Sequence, residues 1–373
     1  MIGQKIRIYP TNEQKIILDQ MFDFAKEAYN TMLNKWQEEY QAFKNGKIDK
    51  KPSEYQIRDW YKQNKDEKYQ NMTNMIVETE AEHLAFAYKR FFKTKKGYPQ
   101  IKKYKNSFSL NAKSSNTCSV KENVVKISKI LRIKMSESYK YKNPKVFTIS
   151  KHFNEYFISI SFDDIACFEI SKTGKYCGID TGLETNIVLY DNQNQVKKYD
   201  QNKNKIKRFE SSIKKYDKQL SRKIKNSNSY LKTLKKKQNK IINRQNRNND
   251  FYNKVVLDIV KEYDIIGIED LNINGLKRNR KQSKSWNNAT VGRFNEKLIN
   301  KANMCGKEIV KINRFFPSSQ LCSCCLNKQK MPLYKRVYKC SCGMNMDRDE
   351  NAAKNIMLES QRILKSQSNI MKG

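Results

Sequence analysis

Two short phrases place a carboxylate in matching settings: CGIDTG, residues 177–182, and IGIEDL, residues 266–271. Alternate residues of a strand share a face, so Gly178 and Asp180 point one way while Cys177 and Ile179 point the other. Gly267 and Glu269 repeat the arrangement against Ile266 and Ile268. A carboxylate leaving a buried strand is costly unless it is paired or bound to a metal. The glycine two residues earlier on its face is expected to leave room for a substrate backbone or an ion.

A third acidic group stands in MDRDENAAKN, residues 346–355. Asp347 with Glu350 three residues later has the form of a capping box, so a helix is expected from Arg348 with Asp347 as its N-cap. Residues two apart on a helix point roughly 200° from one another, so Asp347 and Asp349 do not serve one ion together. Asp349, on the side of Ala353, is the better ligand. Asn351 and Asn355 share another face, where they could order water, support a ligand or be plain surface amides. Asp180, Glu269 and Asp349 would form an all-oxygen site suited to Mg²⁺. Both histidines, His83 and His152, lie outside these phrases, against a histidine-metal nuclease.

Cysteines make a separate argument. Cys322-x2-Cys325 and Cys340-x-Cys342 supply four thiolates from two knuckles, the pattern of a closed, structural Zn²⁺ site. Cys324 could replace a neighbour, but the two-residue spacing favours Cys322 with Cys325. Cys118, Cys167, Cys177 and Cys305 read as small hydrophobes.

The elements that position these groups can be read from texture. KIRIYP alternates as a strand, and Thr11 to Gln14 opens a helix with a capping box and apolar residues from Leu18 to Phe43. Helices are expected at about 53–66 and 71–92. Short strands follow from about Gly97 to Phe162, a β-barrel-like module to which the first strand returns. A basic region, Lys203 to Arg247, has helically spaced Ile206, Phe209, Ile213, Tyr216, Leu220 and Ile224, broken by NSNS at 226–229. It predicts a helical hairpin with an apolar seam and a lysine-covered outside. Residues 272–292 are polar, basic and aperiodic, a loop; the tail beyond about Leu358 reads as frayed.

The chain has 373 residues, room for two or three domains, and carries 75 Lys and Arg against 38 Asp and Glu, a net charge of +37. That excess calls for a polyanionic partner, and 21 Tyr with 17 Phe argue against a disordered basic tail. Nucleic acid is the expected ligand. Lys205, Arg208, Lys235, Lys236, Lys237, Arg244 and Arg247 on the hairpin are the expected phosphate contacts. Beside a polyanion, the acidic site suits two-metal phosphodiester hydrolysis. Neither a membrane span nor a signal peptide is visible, so an intracellular location is expected.

GIDTG, IGIEDLNI and DRDENAAKN in this order, with CSCC and CSCG just before the last, resemble the TnpB proteins, transposon-encoded RNA-guided DNA endonucleases related to compact type V CRISPR effectors. The segments KIRIYPTNEQ, GYPQIKKYKNSFSL and FNEKLINKANMCGKEIVKINRFFPSSQLC extend the resemblance over most of the chain. It implies an α+β multidomain protein. A β-barrel-like wedge module would take residues 1–13 and 96–170, and a helical recognition module 14–95. An RNase H-like (RuvC) nuclease domain would take 171–317 and 345–373, with a zinc ribbon inserted at 318–344.

By position, Asp180, Glu269 and Asp349 match the family's catalytic carboxylates. The basic hairpin (203–260) and a lid loop (272–292) belong to the nuclease domain. The resemblance also implies a guide RNA from the transposon end, a double-stranded DNA target beside a short motif, one protein copy in the ribonucleoprotein, and the cytoplasm or nucleoid of a prokaryote, or a nucleus for a eukaryotic or viral relative. Two departures concern the knuckles: Leu326 stands where the family favours glycine, and the second pair is Cys-x-Cys. The alternatives are an RNA-guided DNA-binding protein with little cleavage, or an unguided nuclease or transposase-associated DNA-binding protein.

Overall fold

The computed structural model describes the chain except residues 1, 104–106, 116–117, 128–130, 140–142, 163–169, 183–186, 202, 271–290, 333 and 371–373. Most of the expected lid loop lies outside the described residues. The chain divides into two compact units, residues 1–166 and 167–373.

In the first unit, β1 (Ile2–Tyr9) leads into α1 (Asn12–Lys44). The capping box is formed: the Thr11 hydroxyl accepts the N–H of Gln14 at 3.3 Å while the Gln14 side chain accepts that of Thr11 at 3.0 Å. The helices α2 (Glu54–Gln63) and α3 (Asn74–Thr94) follow. Six further strands are β2 (Ser107–Lys113), β3 (Ser119–Lys121), β4 (Val124–Lys126), β5 (Arg132–Met135), β6 (Pro144–His152) and β7 (Glu155–Phe162). They assemble in the order β2-β6-β7-β1-β5-β4-β3, with β1 returning between β7 and β5 as expected. The ladder among the described residues is open, with β2 and β3 at its ends, rather than a closed barrel. One apolar core runs through the helices and the sheet alike, from Phe24 and Met32 to Ile149 and Ile158.

The second unit is built on a five-stranded sheet of order β10-β9-β8-β11-β12. Its strands are β8 (Tyr176–Asp180), β9 (Ile187–Asp191), β10 (Val196–Tyr199), β11 (Ile265–Glu269) and β12 (Glu308–Ile312). The first three are antiparallel, whereas β11 runs parallel to both β8 and β12. The basic region forms α4 (Lys203–Leu220) and α5 (Asn228–Glu262), the latter capped by Ser227 inside the NSNS break. Ile224, assigned to the seam, instead sits in the connection and is 83% exposed, because α4 ends before it.

Next come α6 (Val291–Met304), β13 (Val337–Lys339), β14 (Asn345–Asp347) and α7 (Arg348–Ile370). The last helix does not fray at Leu358: Ser360 is buried against Gly267 of the sheet, and the helix continues to Ile370. One face of the sheet packs Cys177, Ile179, Ile266 and Ile268 against Val256, Ile259, Phe294 and Leu298 of α5 and α6. The other packs Val188 and Tyr190 against Ala353 and Met357 of α7. No helix among the described residues is long and apolar enough to cross a membrane.

Candidate active site and zinc ribbon

Parallel pairing sets Gly178 beside Gly267 and Ile179 beside Ile268. The two glycines thus make one bare strip across adjacent strands, on the face of α7. A Cβ on Gly178 would lie 2.2 Å from the carbonyl oxygen of Ala353 and 2.3 Å from the nitrogen of Met357. One on Gly267 would lie 2.1 Å from Oγ of Ser360. This corrects the expectation that the glycines leave space for substrate or ion: α7 itself fills it. The consequence for the site is direct, since the helix that sinks into this strip carries Asp349 in its first turn.

Asp180 and Glu269 end their strands on that same face, and the charges of Glu269 and Asp349 both bear on Asp180. Although part of Asp180 stays accessible, the protein around it, then the charges of Glu269 and Asp349, push its carboxyl well above the usual range; Arg348 and the Thr181 N–H oppose. Burial raises Glu269 too, against the Ser318 hydroxyl, which donates to Glu269 Oε1 at 2.5 Å. Asp349 Oδ1 accepts from Nε and Nη2 of Arg348, both at 3.1 Å, and Nη1 of Arg336 stands 3.8 Å from its Oδ2. Three acids with only oxygen donors suit a hard divalent cation in donor type, although their oxygens are not drawn together within 4.8 Å as the cysteine sulfurs are.

Raised values have a sign. The metal-free fold holds protons on Asp180 and Glu269 more readily than the unfolded chain does. Their contribution to stability is therefore complete below the unfolded carboxylate values, roughly 4, and is lost as pH rises through the raised folded values. Added Mg²⁺ should raise the melting temperature more at pH 8 than at pH 5. Thermal unfolding at the two pH values checks this; an equal gain at both would contradict it.

Asp347 takes the role expected of it. Its Oδ1 accepts the N–H groups of Asp349 at 2.9 Å and Glu350 at 3.2 Å, capping α7. Glu350 pairs with Lys198 on β10 at 2.8 Å rather than closing the capping box.

Asn351 and Asn355 are not surface amides. They are 0% and 2% exposed. Asn351 accepts the N–H of Ser323 at 3.0 Å and donates to the Leu321 carbonyl at 2.7 Å. Asn355 donates to the carbonyls of Ser318 and Leu321, both at 2.8 Å. The two amides bind α7 to the segment carrying both Ser318 and Cys322. Their four-residue spacing was visible in sequence, but nothing local showed what would cover that face.

The sulfurs of Cys322, Cys325, Cys340 and Cys342 all lie within 4.8 Å of one another, the group of its kind among the described residues. Cys322 and Cys342 are 3.6 Å apart, Cys325 and Cys340 3.5 Å. Four sulfurs about 2.3 Å from a central Zn²⁺ would stand about 3.8 Å apart, so the set is already close to that tetrahedron. Among these mutually bonded sulfurs the N–H of Cys342 helps draw the Cys340 thiol down to about 6, while the bonds they donate hold Cys325 and Cys342 up. Cys324 is exposed and outside the group.

Both knuckle departures are resolved by backbone. Leu326 adopts φ +61° in place of the favoured glycine, closing its turn with an N–H to Cys322 O bond of 3.0 Å. Gly343 takes φ +88° at the equivalent turn after Cys342. The ribbon leads straight into the acidic helix: β13 pairs with β14, and the N–H of Arg348 bonds Arg336 O at 2.7 Å.

The expected phosphate contacts differ in setting. Lys205, Arg208, Lys235, Lys236 and Arg247 are exposed, whereas Lys237 and Arg244 are partly buried. Lys237 is held by Asp217 across the hairpin at 2.5 Å. A cleft between α4 and α5 gathers other cations that the sequence reading passed over, Lys215, Arg222, Lys223 and Lys240, around Lys236.

Three family models match in chain order. A model described as "Helix-turn-helix domain" covers residues 1–47, "Probable transposase" covers 167–280, and "Cas12f1-like, TNB domain" covers 292–356. In this chain the first of these regions folds as β1 followed by the single long helix α1. A Streptomyces pristinaespiralis protein described as "Putative RNA-guided DNA endonuclease" is 27% identical over 95% of this chain and 88% of its own length. The "TnpB-like protein L79" of Acanthamoeba polyphaga mimivirus is 31% identical over 51% of this chain, which spans only 38% of that protein. "Putative RNA-guided DNA endonuclease InsQ" of Escherichia coli K12 is 21% identical over 74% of this chain and 72% of its own. Among solved structures, the Cas12f1-sgRNA-target DNA complex aligns over 96% of this chain and 99% of that one at 17% identity, with a TM-score of 0.37, below the level that defines a shared fold. With the motifs in family order, the chain is similar over most of its length to proteins described as RNA-guided DNA endonucleases, and over about half of it to TnpB-like proteins.

Proposed function

We propose that this protein is an RNA-guided DNA endonuclease, directed by a transposon-end RNA to double-stranded DNA beside a short motif, with Asp180, Glu269 and Asp349 as its metal-binding catalytic carboxylates. The observation that carries the proposal is the convergence of three carboxylates from β8, β11 and α7, close enough for Glu269 and Asp349 to raise the carboxyl of Asp180. An RNase H-like, RuvC-type fold is supported by the strand order, with two acids ending adjacent parallel strands and the third on the helix packed across them. All three come from one chain, so a single copy supplies a complete site. The similarity to Streptomyces and Escherichia proteins described as putative RNA-guided DNA endonucleases supports guide RNA and DNA as partners.

When bound, two Mg²⁺ ions would supply a polarised phosphate and an activated water. The chain's own share is positional. Asp180 and Glu269 are held at strand ends, Ser318 orients Glu269, and the Asp347 cap fixes the first turn of α7 from which Asp349 projects. Cys322, Cys325, Cys340 and Cys342 would hold a structural Zn²⁺.

Asp180→Ala, Glu269→Ala and Asp349→Ala should each lower cleavage at least about a hundredfold, beyond the roughly 10- to 100-fold typical of losing an outer-shell partner of a metal. Guide-dependent target binding should persist. Gel assays of cleavage and binding with purified ribonucleoprotein test this, and sequencing the copurifying RNA tests the guide. Wild-type cleavage by any of the three variants, or equal cutting without RNA, would overturn the assignment.

A further inference from the structure

Between β12 and the first zinc knuckle the chain makes a short turn, Asn313-Arg314-Phe315-Phe316-Pro317-Ser318, pinned at both ends beside the acidic site. Arg314 donates to the Asp270 carbonyl at 3.1 Å and its carboxylate at 2.5 Å; Ser318 donates to the neighbouring Glu269. Inside the turn the N–H of Phe315 bonds Oδ1 of Asn313 at 2.8 Å, and that of Phe316 bonds the Asn313 carbonyl at 3.0 Å. Phe316 is partly buried, but Phe315 stands 87% exposed, the most exposed of the large apolar side chains among the described residues.

One exposed apolar side chain is ordinary on a protein surface. This one is carried on a hydrogen-bonded turn whose two anchors are Glu269 and its chain neighbour Asp270, so the backbone that presents its ring is tied to the strand end that carries the carboxylate. A rigid aromatic face costs little side-chain entropy to occupy and can take a nucleobase flat against it. Bases inside a duplex are already stacked on both sides, so the ligand must be a base of a single strand or a flipped one.

We propose that Phe315 is a stacking platform for an unpaired nucleobase next to the scissile phosphate, positioning the strand over Asp180, Glu269 and Asp349. The inference rests on the nuclease reading above and adds a substrate-positioning residue to it. Because stacking is indifferent to base identity, Phe315 would align strands of any sequence, as a guided enzyme with a changing target requires.

The experiment pairs Phe315 variants with target strands carrying one abasic nucleotide, walked through the cut site, in the wild-type ribonucleoprotein and in Phe315→Ala. Phe315→Ala should lower kcat/KM roughly 5- to 100-fold on intact strands, the range of one lost base stack. Phe315→Trp should stay near wild type, and Phe315→Leu, of similar bulk without a π face, should not. One abasic position should cost the wild type a similar factor and cost Phe315→Ala almost nothing further. Melting temperature, zinc content and guide binding should not move.

Penalties that multiply at every abasic position would overturn the proposal, as would restoration by leucine or a melting temperature lowered by several degrees, the mark of a packing role. Asp180→Ala run alongside separates the two readings. If it still cuts, the nuclease assignment fails. If it is inactive while Phe315 and abasic effects multiply, only the platform fails.

Discussion

Gly178→Ala is expected to destabilise the second unit by about 3 kcal/mol or more and to remove most cleavage, although it adds one methyl group at a residue with no chemistry of its own. Overpacking usually costs about 1–3 kcal/mol because neighbours shift. Here the nearest atoms are backbone of α7, 2.2 and 2.3 Å from the new Cβ, and cannot rotate away. The helix must lift, and Asp349 lifts with it. For a unit of this size the melting temperature should fall by roughly 6–12 °C. Gly267→Ala is the internal control. Its Cβ meets the side chain of Ser360 at 2.1 and 3.0 Å, so Ser360→Gly should restore most of its loss while doing nothing for Gly178→Ala. Thermal unfolding and single-turnover cleavage of the two single variants and their Ser360→Gly combinations read this directly. A Gly178→Ala protein with unchanged melting temperature would mean that α7 does not sit in the strip as described.

Removing one zinc thiolate should have the second large effect. Structural zinc contributes on the order of 10–16 kcal/mol of apparent binding free energy to zinc-finger peptides, so the ribbon of Cys340→Ser should lose its metal and its order. The damage reaches the acids by two routes. Asn351 binds the backbone on both sides of Cys322, and the N–H of Arg348 bonds Arg336, just before the strand leading to Cys340. Both routes end in the first turns of α7, around Asp349. Cys340→Ser should contain well under one zinc per chain, become sensitive to proteolysis within residues 318–347, and lose at least about tenfold in cleavage. Asn351→Leu separates positioning from metal. It leaves the Ser323 N–H without its buried partner, about 1–3 kcal/mol, while the Leu321 carbonyl keeps the Asn355 amide, so zinc should stay while cleavage falls. Elemental analysis, limited proteolysis and cleavage assays make the comparison. Full activity in a zinc-free Cys340→Ser protein would show that the ribbon does not hold the acidic helix.

Much of this organisation was legible locally. The capping box at Thr11, the Asp347 cap and the cysteine spacings are formed by residues within a few positions of one another, where backbone geometry leaves few alternatives. Strand alternation likewise put Gly178 with Asp180 and Gly267 with Glu269 on shared faces, and that arrangement is the one the sheet displays. Ile224 was misplaced because apolar periodicity alone does not tell where a helix stops. The tail beyond Leu358 looked frayed because its polar residues conceal a contact made only in three dimensions, that of Ser360 with the glycine strip.

What occupies a face depends on elements far along the chain, and no local pattern encodes it. Glycines beside acids are compatible with substrate, ion or helix, and only the parallel register of β8 and β11 with α7 laid across it selects the helix. Two asparagines four residues apart became a buried clamp for the same reason, since the knuckle they grip comes from another stretch of chain. The chemistry of this protein is therefore written in its residue types and spacings, which follow from bonding rules of short range. Its positioning is written in packing, where a missing Cβ matters only because of the backbone that arrives to use the space.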